Sequence, residues 1–234
     1  MASPTFYELS TIAGAVYGGD DSASLAAAAA GRGWAAGSFY RGRGNFQGCV
    51  YRRGDQSVVA FRGTVFPNAD DLASDLMLGG GMNTSHFAAA EDFMAQANLS
   101  GKVTLTGHSL GGAIAQIIGN RQRLPFVTYN APGVAVLASR NIWTANPVAL
   151  GARIGGAALG TITHFGQTMR DIGSTFYKVK GVNLCLLGDP VSQWGVHYGK
   201  VIRMRGIGHG IANLVSKLNG SSTGAETLDA YYRA

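Results

Sequence analysis

Residues 103–118, Val-Thr-Leu-Thr-Gly-His-Ser-Leu-Gly-Gly-Ala-Ile-Ala-Gln-Ile-Ile, constrain this chain more than any other stretch. Val103 and Leu105 belong to a short β-type run, and Ala113, Ile114, Ile117 and Ile118 recur at helical spacing. Between them Gly107 and Gly111 stand two residues either side of Ser109. The pattern predicts a strand, a sharp turn and a helix, with a serine at the apex. Side chains two residues before and after such a serine would collide, so both positions favour glycine. The turn also aims the first N–H groups of the helix at whatever the hydroxyl attacks, where they and the helix dipole stabilise developing negative charge.

Composition keeps that motif from standing alone. With 35 glycines in 234 residues, roughly a third of a G-x-S-x-G match arises by accident. The strand before, the helix after and the small residue Gly112 carry the weight instead.

A serine hydroxyl is a weak nucleophile at neutral pH and needs a base, normally a histidine oriented by a carboxylate. For a serine at a strand-to-helix turn the expected chain order is Ser, Asp or Glu, His. His164, His197 and His209 follow Ser109, and Asp171 and Asp189 are the carboxylates that precede a later histidine. Asp189 comes after the run 182–187 and Gly188 and is followed by Pro190, which puts it at a strand end and makes it the expected acid. Asp171 lies beside Arg170, where a solvated ion pair is the simpler account. His209, between Gly208 and Gly210, is the expected base, with His197 as its competitor. His108 is read as structural and His86 as a helix-surface residue. A second oxyanion donor is expected after an earlier strand, where Gly63 permits a tight turn and Thr64 offers an N–H and a hydroxyl beside the N–H of Leu110. Arg62 is expected to anchor that loop through an ion pair, or else to bind substrate as a cation.

The rest of the chain fits one domain over residues 1–234, with strands and helices alternating around a mostly parallel sheet. Thr5 and Glu8 form a capping-box pattern ahead of a helix over 6–17. Residues 24–30 predict a short Ala-rich helix. Segments 46–52 and 56–61 predict a hairpin, 70–78 and 85–98 predict helices, and 102–106, 126–129, 182–187 and 200–204 predict strands. A last helix is expected from His209 to Leu218. Residues 134–180 are irregular and too long for an ordinary loop.

Other classes fit less well. A net charge of +6 suits an anionic partner, but the basic residues lack the aromatic interleaving of a nucleic-acid module, so none is expected. A solvated face, or attraction to anionic lipid, is the simpler account. Cys49 and Cys185 make neither a disulfide framework nor a metal site and are expected to be buried thiols. No basic stretch precedes Arg32, so no secretory signal is read; any export would need a route the sequence does not display. No apolar run reaches about 18 residues, and no transmembrane helix is expected.

Four blocks together, Ala60-Phe61-Arg62-Gly63-Thr64, Gly107-His108-Ser109-Leu110-Gly111-Gly112-Ala113, Tyr129-Asn130-Ala131-Pro132-Gly133 and Gly188-Asp189-Pro190-Val191, resemble the class three lipases, the fungal-type lipases and their bacterial relatives. The resemblance implies an α/β-hydrolase fold, no metal or cofactor, and hydrolysis of carboxylic esters of lipids. It implies Ser109 as nucleophile, Asp189 as orienting acid, His209 as base, Thr64 and Leu110 as oxyanion donors, and a lid over 65–82. That lid has Asp71-Leu72 and Asp75-Leu76 where the family often has an aromatic. The alternative within the class is a phospholipase A or short-chain esterase, a type that includes antibacterial effectors. An inert lipase-like binding module is the non-enzymatic alternative.

Overall fold

The computed structural model describes residues 2–18, 32–63, 84–135 and 180–233. The expected helices at 24–30 and 70–78, the proposed lid at 65–82, nearly all of the 134–180 segment, Thr64, His164 and Asp171 lie outside them.

Seven strands form one sheet in strict chain order: β1 (Ala35–Arg41), β2 (Gln47–Arg53), β3 (Gln56–Phe61), β4 (Lys102–His108), β5 (Phe126–Tyr129), β6 (Gly181–Gly188) and β7 (Lys200–Ile207). β1 to β3 pair antiparallel, and from β3 to β7 every pairing is parallel. The expected hairpin is present, with Arg53 opposite Gln56 across the turn.

β3 is buried along its whole length because helices cover both faces of the sheet. Val59, Phe61 and Leu105 face one core, with Phe87 and Phe93 of α2 (Thr84–Gln96) and Ile114 and Ile117 of α3 (Leu110–Gln122). Val58, Ala60, Val127 and Leu184 face the other, with Phe6, Leu9 and Ile12 of α1 (Phe6–Ala15) and Leu214 and Leu218 of α4 (Ile211–Leu218). Each fully buried side chain of this size contributes about 1.5–3 kcal/mol, so the two-sided burial fixes the register of the central strands.

α1 carries the expected capping box: the Glu8 N–H donates to Thr5 Oγ1 and the Thr5 N–H donates to Glu8 Oε2. It ends at Ala15 and runs into a 3-10 turn over Val16–Gly18, and Tyr17 in that turn reaches His108 at the end of β4. Two short helices, α5 (Ser222–Ala225) and α6 (Leu228–Tyr231), close the described chain. The Phe6 N–H donates to the Glu226 carbonyl at 2.8 Å, so α1 and the C-terminal turns are joined. Cys49 and Cys185 are buried free thiols.

Candidate active site

One chemically distinctive residue follows each of the five parallel strands: Gly63 after β3, Ser109 after β4, Asn130 after β5, Asp189 after β6 and His209 after β7. A parallel sheet brings these five strand ends to one edge, the edge at which open α/β sheets build their sites.

Ser109 is the N-cap of α3 and has φ 56°, ψ −128°, a conformation that L side chains seldom adopt. Its glycine neighbours explain how that is tolerated. A Cβ at Gly107 would meet the Gly111 backbone, one at Gly111 would meet the Phe61 carbonyl oxygen, and one at Gly112 would stand 2.6 Å from Ala131 Cβ. The predicted strand–turn–helix is therefore present, with Leu110 as the first helical residue. Gly63 packs directly against the serine, since a Cβ there would lie 3.2 Å from Ser109 Cβ. Arg62, which precedes it, pairs with Gln47 through both its side chain and its N–H.

Asp189 is completely buried and its carboxylate accepts three hydrogen bonds. The N–H groups of Val191 and Ser192 donate to it at 3.2 Å and 3.1 Å, and His209 Nδ1–H donates to Oδ1 at 2.9 Å. A carboxylate can only accept here, so Nδ1 carries a proton, and Nε2 is the ring nitrogen left without a partner among the described residues. The competitor His197 is held elsewhere: its Nε2–H donates to the Ala131 carbonyl at 2.8 Å, and burial lowers its pKa. Asp189 is thus joined to His209.

Five buried side-chain polar atoms lack a hydrogen-bond partner among the described residues, and two of them are Ser109 Oγ and His209 Nε2. Folded proteins rarely leave such atoms orphaned. Here they are the two atoms between which a proton would pass if the serine were activated.

Sequence reasoning missed what holds His209. Its carbonyl oxygen accepts from Asn130 Nδ2 at 3.0 Å and from His108 Nε2–H at 2.7 Å. Asn130 also donates to the Gly208 carbonyl at 3.3 Å and accepts at Oδ1 from the Leu186 N–H at 2.9 Å. Its φ of 44° is one that Asn tolerates better than most residues. His108 is structural, as expected, but its task is specific. Tyr17 Oη donates to its Nδ1 at 2.8 Å, and its ring lies 4.7 Å from that of His209. Burial first, then the charge that His209 would carry, pushes the His108 pKa down to about 3. The ring stays neutral, with its proton on Nε2.

Among the described residues no three metal-ligating side chains cluster and no helix is long and apolar enough to cross a membrane.

A serine at a strand-to-helix turn on a mostly parallel sheet, with a buried Asp–His pair delivered by the following strands, defines an α/β-hydrolase fold. The chain belongs to the Tle-like phospholipase domain family, whose model matches residues 20–183. It is also similar to proteins named as the lipase ATG15, at 39% identity over 66 residues in Eremothecium gossypii and 41% over 66 residues in Debaryomyces hansenii. Those stretches take in 28% of this chain and 11% and 10% of the relatives, so the likeness spans about a tenth of their length. Among solved structures, a fungal lipase bound to an inhibitor aligns with TM-score 0.43 at 16% identity, covering 80% of this chain and 71% of that one.

Proposed function

We propose that this protein hydrolyses carboxylic esters of lipids through an acyl-enzyme on Ser109. His209 Nε2 takes the Ser109 proton as Oγ attacks the ester carbonyl, and Asp189 holds the imidazole in the tautomer that leaves Nε2 free. The N–H of Leu110 at the start of α3, with the N–H and hydroxyl of Thr64, stabilises the tetrahedral oxyanion. Collapse expels the alcohol, which takes the proton from His209; water then attacks the acyl group with the same histidine as base.

The observation that carries this reading is the pair of buried atoms without partners, Ser109 Oγ and His209 Nε2, on a histidine whose other nitrogen is held by buried Asp189. Membership in a phospholipase-like family favours a phospholipid over a neutral glyceride as substrate. A head-group and chain-length panel discriminates these.

Replacing Ser109 by alanine is expected to remove nearly all turnover of a p-nitrophenyl acyl ester and all labelling by a fluorophosphonate. Full activity in that variant refutes the assignment, and an unlabelled wild-type protein points to an inert binding module. Thr64→Ala is expected to slow turnover by up to roughly 10²-fold.

A further inference from the structure

Tyr17 lies outside the sheet, in the turn that follows α1, yet it reaches residues at the ends of both β3 and β4. Its ring stands edge-on to that of His108, with centroids 5.7 Å apart, and the guanidinium of Arg62 lies 5.9 Å from its centre. Beyond β3 the approach is closer still. A Cβ at Gly63 would collide with Tyr17 Oη, and would stand 2.6 Å from the His108 carbonyl oxygen and 3.2 Å from Ser109 Cβ. Gly63 is therefore wedged between the phenol and the serine turn, a place only glycine can occupy. Its backbone also hydrogen-bonds to the phenol oxygen.

The direction of each bond follows from the groups involved. A carbonyl only accepts, so the proton of neutral His108 sits on Nε2 and is donated to the His209 carbonyl at 2.7 Å. Nδ1 is then an acceptor, and the Tyr17 hydroxyl donates to it at 2.8 Å. That commits the phenol proton, while lone pairs on the same oxygen remain to accept from the Gly63 N–H. Burial raises the phenol pKa above its ordinary 10, against the opposing effects of the Gly63 bond and the Arg62 charge, so the proton stays in place at neutral pH. One chain results, from Gly63 N–H through Tyr17 O–H and His108 to the His209 carbonyl. Every donor in it points the same way, and each bond polarises the next.

We propose that Tyr17 is a positioning residue: through one hydroxyl it holds the backbone leading into Thr64 in register with Ser109 and with His209, so that oxyanion donors and base keep their spacing. The bonds of Asn130, by contrast, run to β6 and to the residues that follow β7. Because its proton is spent on His108, Tyr17 acts on the reaction through its neighbours and not on substrate.

The inference rests on the lipid-ester reading, and two kinds of measurement on Tyr17→Phe, which keeps the ring, separate the two. On a water-soluble p-nitrophenyl ester the variant is expected to lose roughly 10- to 100-fold in kcat with KM nearly unchanged, since the loss falls on the transition state. Combined with Thr64→Ala, its loss is expected to fall well short of the product of the two single losses, because both act through one loop. Amide hydrogen exchange is expected to quicken at Gly63 while Val58 and Val59, in mid-β3, stay protected as in the wild type. Unchanged kcat, a loss carried by KM, losses that multiply, or Gly63 exchange at the wild-type rate each overturn the proposal. If the wild type itself fails on the ester, the hydrolase reading falls and the catalytic role of Tyr17 with it; exchange at Gly63 then still decides whether the hydroxyl ties the loop to the serine turn.

Discussion

Ser109 holds a backbone conformation costing of order 1–3 kcal/mol, and Asn130, at φ 44°, holds a milder one. Both strained residues follow strands at the same sheet edge, and Asn130 donates to the His209 carbonyl. Asn130→Gly frees the backbone while deleting the side chain, so it separates strain from hydrogen bonding. It is expected to lower kcat/KM by roughly 10- to 100-fold, the cost of a misplaced catalytic group, with the fold retained by circular dichroism; unchanged kcat/KM means the amide does not position His209. His108 gives a pH prediction. Burial lowers its folded pKa from the ordinary 6.5 to about 3, so the unfolded chain takes up a proton below 6.5 that the folded one refuses. Stability from this site is complete above pH 6.5 and is lost as pH falls from there towards about 3, by at most about 1.4 kcal/mol per pH unit. Buried His197, whose pKa is also lowered, adds to the same trend. Urea unfolding at successive pH values is expected to show a shallower acid decline in His108→Asn than in wild type.

At the scale of elements, two helical glycines carry opposite predictions. Gly111, in the first turn of α3, has no room: a Cβ there meets the Phe61 carbonyl, and Gly111→Ala forces β3 and α3 apart. It is expected to cost about 1–3 kcal/mol or more and to reduce activity, because Gly63 and Ser109 sit on the two pieces displaced. Gly14, in α1, has space, its added Cβ lying 3.7 Å from Ile211 Cγ1. Gly14→Ala is expected to raise stability by about 0.5–1 kcal/mol, read as a higher Tm. The same reasoning explains which elements could be read from sequence. β3 to β6 announce themselves as apolar runs because both faces are covered, and α1 announces its start through Thr5 and Glu8. β1 was missed: Ala-Ala-Gly-Ser-Phe-Tyr-Arg is an edge strand of small residues whose register shifts between Ala36 and Phe39, so no alternation survives. α5 and α6 are four residues long and betray themselves only by their caps, Ser221 and Thr227. The final helix begins at Ile211, two residues later than expected, which leaves His209 in the turn before it. The strand-end positions of Ser109, Asp189 and His209 were legible because each comes just after an apolar or β-type run. The clamp formed by Tyr17, His108 and Asn130 was not, since it depends on which strands lie side by side.

Across the whole molecule, the site is assembled from segments a hundred residues apart, and two kinds of contact could hold it together. Helices α1 and α4 pack on one face with Leu9, Ile12 and Leu214 fully buried, and α4 starts just after His209. The strand ends act separately: Asn130, His108 and Asp189 grip His209 through its carbonyl and Nδ1 without involving either helix's core face. If global stability and local placement are divided in this way, Leu214→Ala should cost about 2–5 kcal/mol and lower Tm markedly. Well below that Tm it should keep kcat/KM within a few-fold of wild type, because the three grips on His209 remain. Asn130→Gly should show the reverse, a small change in Tm with a large loss of turnover. Thermal unfolding and steady-state hydrolysis of a soluble ester on the two variants decide the matter. A Leu214→Ala protein that is folded yet loses activity as severely as Asn130→Gly would mean that α4, and not the strand-end clamp, sets the position of the base.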